Sequence, residues 1–479
     1  MPVEPKRQPL ALELPRPLES AIETLRNAGG RCRIVGGSVR DALLGLIPKD
    51  FDVEVYGLDL DAISEKLSQI GKTDLVGKSF AVVKLWTRGE EYDFAIPRRE
   101  SKSGTGHRGF AIEADARMSE FDALQRRDFT INALLYDPAS KQALDYCGGL
   151  DDLKNRILRH VSPAFSEDPL RVLRGMQFAG RFRMSLHPET AALCRAIRNE
   201  FHSLSKERVW GEWEKWASRS TSLSHGLRAL QDSGWLPHFP ELNALVGLPQ
   251  DPAWHPEGDV WAHTCCCLDA LIQHTDWASL PPTKRALLAF GTLCHDLGKA
   301  RSTRWALKRG AKHWISPGHD TNSVWLAQQF FDRMRAPHLI RDKVMRLVGN
   351  HHFLNTVPEG GHSDASLRRL SKRLAPATSE ELHYVMVSDH RGRPPFVSKA
   401  QDKRLAQFKQ RIQELDLKES APKPLLQGRD LIARGFKPNP DFKSLLESAY
   451  EAQLDGAFSS HAQAQAWFDD FLQSRDRAN

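Results

Sequence analysis

No apolar run in this 479-residue chain reaches the ~18 residues a membrane-spanning helix needs, so no transmembrane segment and no membrane partner are expected. Cysteine is scarce. There are seven, three of them adjacent at Cys265-Cys266-Cys267, and none stands at zinc-ligand spacing. That excludes a disulfide framework and a zinc-finger module; the triplet is expected on a buried helix face. No segment repeats at a fixed period, which excludes a solenoid. Residues Met1 to Pro17 are rich in proline and charge but lack the apolar core of a signal peptide, so a cytoplasmic location is expected. Neither charge sign dominates: 67 Lys and Arg against 60 Asp and Glu leave +7. That balance permits a polyanionic partner without requiring one. Basic residues gather locally at Arg156, Arg159, His160, Arg171, Arg174, Arg181, Arg183, Arg195 and Arg198, as a solvated helix face or as a nucleic-acid track. The length exceeds what one core supports, so two to four domains are expected, with no obligate protein partner evident.

What is present begins at residues 34–52, where Ile34-Val35-Gly36-Gly37-Ser38-Val39-Arg40-Asp41 precedes Asp50-Phe51-Asp52. These are the working parts of nucleotidyl transfer. Glycines at a strand end let the backbone approach a triphosphate. Arg40 can neutralise phosphate bidentately. Strand alternation predicts Asp50 and Asp52 on one face, with Phe51 on the other. Two such carboxylates can hold metal ions that bridge a triphosphate and an attacking hydroxyl.

Patterning predicts an α+β protein: a small mixed-sheet head, then mostly helical domains. Helices are expected near 18–27, 39–44 and 63–70, and strands at 31–35, 51–56, 80–86 and 91–95, the last two as a hairpin. Ser101 to Gly109 reads as a flexible loop, a lid or primer-contacting element. From Ser119 to Leu134 the pattern reads as helix, with Asp128 and Asn132 one turn apart. Residues 150–250 read as helical, with Trp210, Trp213, Trp216 and Trp235 in the core. The expected boundaries are a head at 1–145, a neck at 146–250, a third domain at 251–395 and a helical tail at 396–479.

Three motifs stand in order: Gly36-Gly37-x-x-Arg40-Asp41 with Asp50-x-Asp52, Arg126-Arg127-Asp128-Phe-Thr-Ile-Asn132, and Glu167-Asp168-Pro-Leu-Arg171-Val-Leu-Arg174. Together they resemble the class II tRNA nucleotidyltransferases, the family that adds CCA to tRNA 3′ ends and includes bacterial poly(A) polymerases. The resemblance implies that Asp50 and Asp52 are catalytic and bind Mg²⁺. It implies that Gly37 and Arg40 hold the triphosphate and that Arg127 contacts the nucleotide. Asp168 and Arg171, three apart on a helix, would face one base edge and select CTP, then ATP, with Arg174 extending the site. Asp93 is either a third acid beside Asp50 and Asp52 or an exposed strand-end residue. Glu54, an acid unusual at its place, either tunes metal binding or faces outward.

Further on come His255-Pro-Glu257, His263-Thr264, His295-Asp296, His319-Asp320, His351-His352 and Asp389-His390. This order resembles an HD domain, named for the adjacent His and Asp. The resemblance implies one divalent ion on His263, His295, Asp296 and Asp389, and a possible second on His319 and His351, with His352 competing. Ni²⁺, Mn²⁺, Fe²⁺, Zn²⁺ and Mg²⁺ all suit such donors. It further implies hydrolysis of phosphate esters, including 2′,3′-cyclic phosphates. The Gly428-Arg-Asp430 and Gly435-Phe-Lys-Pro438-x-Pro440 stretches resemble the family's tail and are expected to form a helix-linking turn.

The expected activity is therefore CCA addition to the tRNA 3′ end from CTP and ATP, with an HD phosphohydrolase in the same chain. The alternatives are a poly(A) polymerase or partial CC- or A-adding enzyme, and an HD phosphohydrolase with an RNA-binding head.

Overall fold

A computed structural model gives the fold over residues 3–76, 81–102, 110–274, 276–308, 310–356, 362–395, 398–437 and 439–478. The chain forms two compact units, Met1–His238 and Phe239–Asn479.

The first unit is built on an eight-stranded sheet. Its strands are β1 (Lys6–Pro9), β2 (Arg31–Val35), β3 (Asp52–Tyr56), β4 (Lys72–Val76), β5 (Val82–Thr87) and β6 (Glu90–Ala95). After a separate hairpin of β7 (Arg98–Lys102) and β8 (Phe110–Ala114), β9 (Leu134–Asp137) and β10 (Gln142–Asp145) complete it. The spatial order is β1-β10-β9-β2-β3-β6-β5-β4. β3 lies inside the sheet, and Val53, Glu54, Val55 and Tyr56 are all buried, so both its faces are covered. β5 and β6 close through Arg88-Gly89, both with positive φ (51° and 84°), as a two-residue turn matching the strand twist requires. β3 and β6 run parallel with Asp52 opposite Asp93, which sets those carboxylates side by side at the sheet's end.

Three local expectations are corrected, and one segment without an expectation forms a strand. Asp50 precedes β3 rather than lying on it, so strand alternation does not place it. The helix expected over 119–134 stops at Leu124; Leu134-Leu135-Tyr136 instead forms a strand buried on both faces, a pattern that periodicity cannot separate from helix. The segment before Pro17 supplies β1, paired to β10 at the sheet edge, where proline is tolerated. The helix carrying Arg171 and Arg174 spans Leu170–Phe182, with Pro169 at its N-cap, so Asp168 lies before it in extended backbone. Of the expected loop Ser101 to Gly109, the first two residues end β7 and 103–109 lie outside the described residues.

Helix Leu170–Phe182 packs against helices Lys206–Arg219 and Leu223–Asp232. Trp213, Trp216 and Trp235 are fully buried and Trp210 nearly so, as the core reading requires. The local basic residues are mostly engaged inside the fold. Arg156, Arg183 and Arg195 donate to the Phe182, Thr221 and Asp232 carbonyls. Arg159, Arg174 and Arg181 pair with Asp152, Asp128 and Asp41.

Among the described residues, the second unit is helical apart from one antiparallel hairpin, Arg304–Lys308 with Ala311–Ile315, which the sequence pattern does not predict. Helices Val260–Ile272, Pro282–Cys294, His319–Met334, His338–Val348 and Ser379–Arg391 surround its core. Cys265 and Cys267 are buried and Cys266 is half-buried, close to the expected helix face. Residues Gly428–Ala433 form a short helix that Gly435 (φ 84°) follows; Pro438 lies outside the described residues. No described helix is long and apolar enough to cross a membrane.

Candidate functional site

In the first unit, two cavities of about 490 Å³ each share Asp52. One is acidic, lined by Asp50, Asp52, Glu90, Glu91 and Asp93. The other is basic. It gathers Gly36, Gly37, Arg40, Arg126, Arg127, Asp168, Arg171, Arg174 and Arg208 around Asp52, Asp128 and Asn132. Every nucleotide-contacting residue expected from the sequence thus lines one cavity, and Asp50 lies in the adjoining one. The Asp52 carboxyl is raised above the ordinary aspartate range by the protein packed around it, with Asp93, Asp50 and Glu54 adding and Arg127 opposing. A cluster of carboxylates that repel one another is a site for a hard cation.

Gly36 turns the chain out of β2 with φ 77°, and a Cβ there would lie 3.3 Å from Arg127 Nη1. The positive φ is what favours glycine there, since a Cβ would press only the far end of the Arg127 side chain. Arg40 is buried. Its Nε and Nη2 donate to Asp41 Oδ1 at 2.8 and 2.6 Å, and its Nη1 donates to Asn132 Oδ1 at 2.5 Å. The free bidentate fork expected of Arg40 is thus committed to Asp41, leaving two of its five N–H donors.

Glu54 does not face outward. It is 2% exposed, accepts from Arg126 Nη2 (3.1 Å), Arg127 Nη2 (3.0 Å) and Tyr56 Oη (2.9 Å), and so aims both arginines into the cavity. Burial pushes its carboxyl up, but Arg127 and Arg126 outweigh that and hold it below the usual range. Asp128 and Asn132 meet at 3.0 Å through a 3-10 turn rather than an α-helix, and Asp128 also takes Arg174 at 2.7 Å. Asp168 accepts from Arg208 at 3.1 Å, while Arg171 donates to the Ala164 and Arg126 carbonyls at 2.8 and 2.6 Å. Sequence reasoning assigns no role to Arg126 or Arg208 and misses the ion pairs that Glu54 makes with Arg126 and Arg127. Arg208 lies far outside the motifs and carries no sequence signal. Arg126 and Glu54 are signalled only by standing next to Arg127 and two residues beyond Asp52.

The second unit holds the other cluster. His263 comes from the helix Val260–Ile272, His295 and Asp296 from the end of Pro282–Cys294, and Asp389 from Ser379–Arg391. His263, His295 and Asp389, joined by Cys267, offer donor atoms within 4.8 Å of one another, and His319, His351 and His352 form a second such group. Asp296 stands between them. Its Oδ2 lies 3.3 Å from His295 Nε2 and its Oδ1 lies 3.3 Å from His319 Nε2. Each ring is held by its other nitrogen: His295, His319 and His351 Nδ1 lie 2.6–2.7 Å from the Thr292, Ser316 and Val348 carbonyls. Donation there fixes the tautomer and turns the Nε2 lone pair inward. The Nε2 atoms of all three are buried without a hydrogen-bond partner, a costly state that ligation of divalent ions relieves. The residues present therefore fit metal ions. Burial, then the neighbouring His319, pushes His352 down to about 4, which keeps it neutral and able to ligate.

Three further residues shape this cluster. Glu257 Oε1 lies 2.7 Å from His263 Nδ1 and 2.9 Å from His255 Nδ1. Burial raises its carboxyl, but the His255 and His263 hydrogen bonds outweigh that and bring it down to about 2. Arg393 Nη2 holds Asp389 Oδ1 at 2.8 Å, and Cys267 Sγ lies 3.3 Å from His263 Nε2. Helical spacing is the available signal: Cys267 and Arg393 each stand four residues after an expected ligand.

Comparison with known proteins gives concordant matches. The family described as Poly A polymerase head domain matches residues 32–159, and the HD domain family matches 267–392. A Multifunctional CCA protein of Xanthomonas campestris pv. campestris (strain B100) is 38% identical over 370 residues, covering 75% of this chain and 85% of the relative. One of Xylella fastidiosa (strain 9a5c) is 37% identical over 372 residues, covering 75% and 83%. Among solved structures, the Bacillus stearothermophilus CCA-adding enzyme in complex with CTP aligns with a TM-score of 0.65 at 20% identity, over 97% of this chain and all of that one. The Thermotoga maritima CCA-adding enzyme complexed with tRNA aligns with a TM-score of 0.59 at 18% identity, over 97% and 99%. At those identities the structural likeness shows a shared fold.

Proposed function

The chain belongs to the multifunctional CCA proteins, a family of class II CCA-adding nucleotidyltransferases, and from that premise we propose how its two sites work. The enzyme adds C, C and A to the 3′ end of tRNA from CTP and ATP. The observation that carries the assignment of its transferase centre is the Asp52–Asp93 register beside Asp50, opening onto a basic cavity. Asp50 and Asp52 would hold Mg²⁺, which would supply Lewis-acid chemistry and charge neutralisation for transfer to the tRNA 3′-hydroxyl with loss of pyrophosphate. Asp93 extends that acidic wall. The Gly36-Gly37 backbone, Arg127 and the remaining Arg40 donors take the triphosphate. Asp168, Arg171 and Arg174 line the same cavity and read the base. Asp128, Glu54 and Arg208 hold those groups in place, so selection of C or A is made by protein side chains with no nucleic-acid template.

The proposed division of labour is a catalytic head over 1–145, a nucleotide-selecting neck over 146–250, an HD phosphohydrolase over 251–395 and a helical tail over 396–479. The HD reading rests on the three inward-facing Nε2 atoms without hydrogen bonds. His263, His295, Asp296 and Asp389 would hold one divalent ion such as Ni²⁺ or Mn²⁺, and His319 and His351 with His352 a second. Ions held by these residues would supply Lewis-acid chemistry for hydrolysis of phosphate esters such as a 2′,3′-cyclic phosphate. A cytoplasmic location fits a tRNA substrate. Asp52→Asn tests the transferase centre: incorporation of labelled CMP should fall at least about a thousandfold with the fold intact. Retention of near-normal incorporation would remove Asp52 from that centre.

A further inference from the structure

A groove of about 1110 Å³ in the second unit begins at His352, a member of the second ligand group. That exceeds the ~300–1,000 Å³ typical of a small-molecule site, so it has room for more than one nucleotide. Its walls carry an unusual combination of groups. Trp325, on the helix His319–Met334, stands 48% exposed at the rim, with the Arg301 guanidinium 4.5 Å from its ring centre. Arg346 and Arg373 line the groove, and neither forms an ion pair with any described acid. This contrasts with the first unit's arginines, which are largely paired. Arg373 Nε donates to Asn350 Oδ1 at 2.7 Å, which fixes its approach without using up its charge. Of the two acids in the lining, Asp342 is bound by Arg341 at 3.0 Å. An exposed indole with unpaired guanidinium groups beside it is the chemistry that binds single-stranded nucleic acid: bases stack on the ring and phosphates take the arginines.

We propose that this groove is a subsite for the RNA chain that precedes a terminal phosphate, with Trp325 stacking a base and Arg346 and Arg373 taking backbone phosphates. The HD centre then prefers an RNA 3′ end to a free mononucleotide. The proposal rests on the phosphohydrolase reading above.

The test compares two substrates, 2′,3′-cyclic AMP and a ten-nucleotide RNA ending in a 2′,3′-cyclic phosphate, in the metal-loaded full-length enzyme. Hydrolysis reports this centre alone, whatever RNA the transferase cavity binds. Trp325→Ala should lower kcat/KM for the RNA about fivefold to a hundredfold, chiefly through KM, and leave the mononucleotide unchanged. Arg346→Gln with Arg373→Gln, both at exposed positions, should do the same. This pair should also flatten the slope of log kcat/KM against log salt for the RNA by about 1.4, ~0.7 for each phosphate no longer neutralised. Equal losses on both substrates, or no loss on the RNA, would overturn the subsite. Failure of the wild-type enzyme to hydrolyse either substrate would overturn the phosphohydrolase reading and the subsite with it.

Discussion

Glu54 Oε1 lies 3.0 Å from Arg127 Nη2, so the strand that presents Asp52 to one cavity also anchors, two residues later, the guanidinium that lines the other. The pair links the acidic and the basic cavity of the first unit through a single strand. Glu54→Gln removes the charge but keeps the shape, and takes the buried carboxylate away from Arg126 and Arg127. Breaking such a pair costs about 3–5 kcal/mol. Urea unfolding should show that loss, and the KM for CTP and ATP should rise as Arg127 loses its anchor. Unchanged stability and KM would show that Tyr56 and Asn132 hold the site unaided.

The ion pair of Asp128 with Arg174 makes the first unit sensitive to acid. Burial alone would raise the Asp128 carboxyl, but Arg174, Asn132 and the Phe129 N–H outweigh it and hold it below the ordinary value. A depressed carboxyl contributes stability that is fully present above its unfolded value of ~3.9 and is lost as pH falls through the lower folded value. Between pH 6 and pH 3 the wild type should therefore lose more stability than Asp128→Asn, when urea midpoints of both are compared. Parallel losses in the two proteins would place the acid-sensitive group elsewhere.

The two centres should separate cleanly by mutation, since no residue is shared. His295→Ala should abolish hydrolysis of 2′,3′-cyclic AMP and leave nucleotide addition within about twofold, because its lesion lies outside the transferase cavities. Asp52→Asn should do the reverse. Loss of both activities from either change would show that the units depend on each other.

Glu257 aims His263 through Nδ1, and such supporting groups are worth about 10–100-fold in metal affinity. Glu257→Gln should weaken binding of Mn²⁺ to the second unit by that factor while His263 itself remains. Isothermal titration calorimetry would read it, and an unchanged affinity would make Glu257 a packing residue only.

The sequence displays the protein's chemistry more readily than its geometry. Gly36-Gly37, Asp50-x-Asp52, Arg126-Arg127-Asp128 and the histidine series are local, and each local spacing implies a chemistry. Their convergence depends on pairs far apart in sequence, such as Asp168 with Arg208 or Glu54 with Arg126, which no spacing encodes. β9 reads as helix because a strand buried on both faces has no alternation to display. Asp93 has two open roles in the sequence because only the parallel pairing of β3 with β6 settles its neighbour. The hairpin at 304–315 escapes sequence reasoning because its strands are short and its cations carry no periodic apolar signal.

The central claim is tested most directly by supplying the enzyme with Mg²⁺ and a tRNA transcript lacking its CCA end. CTP alone, ATP alone and both together are offered, and products are sized at single-nucleotide resolution. Two additions with CTP, a third only when ATP is also present, and then arrest are the predicted result, with Asp50→Ala silent throughout. Long A tails from ATP alone, or no extension under any condition, would contradict it.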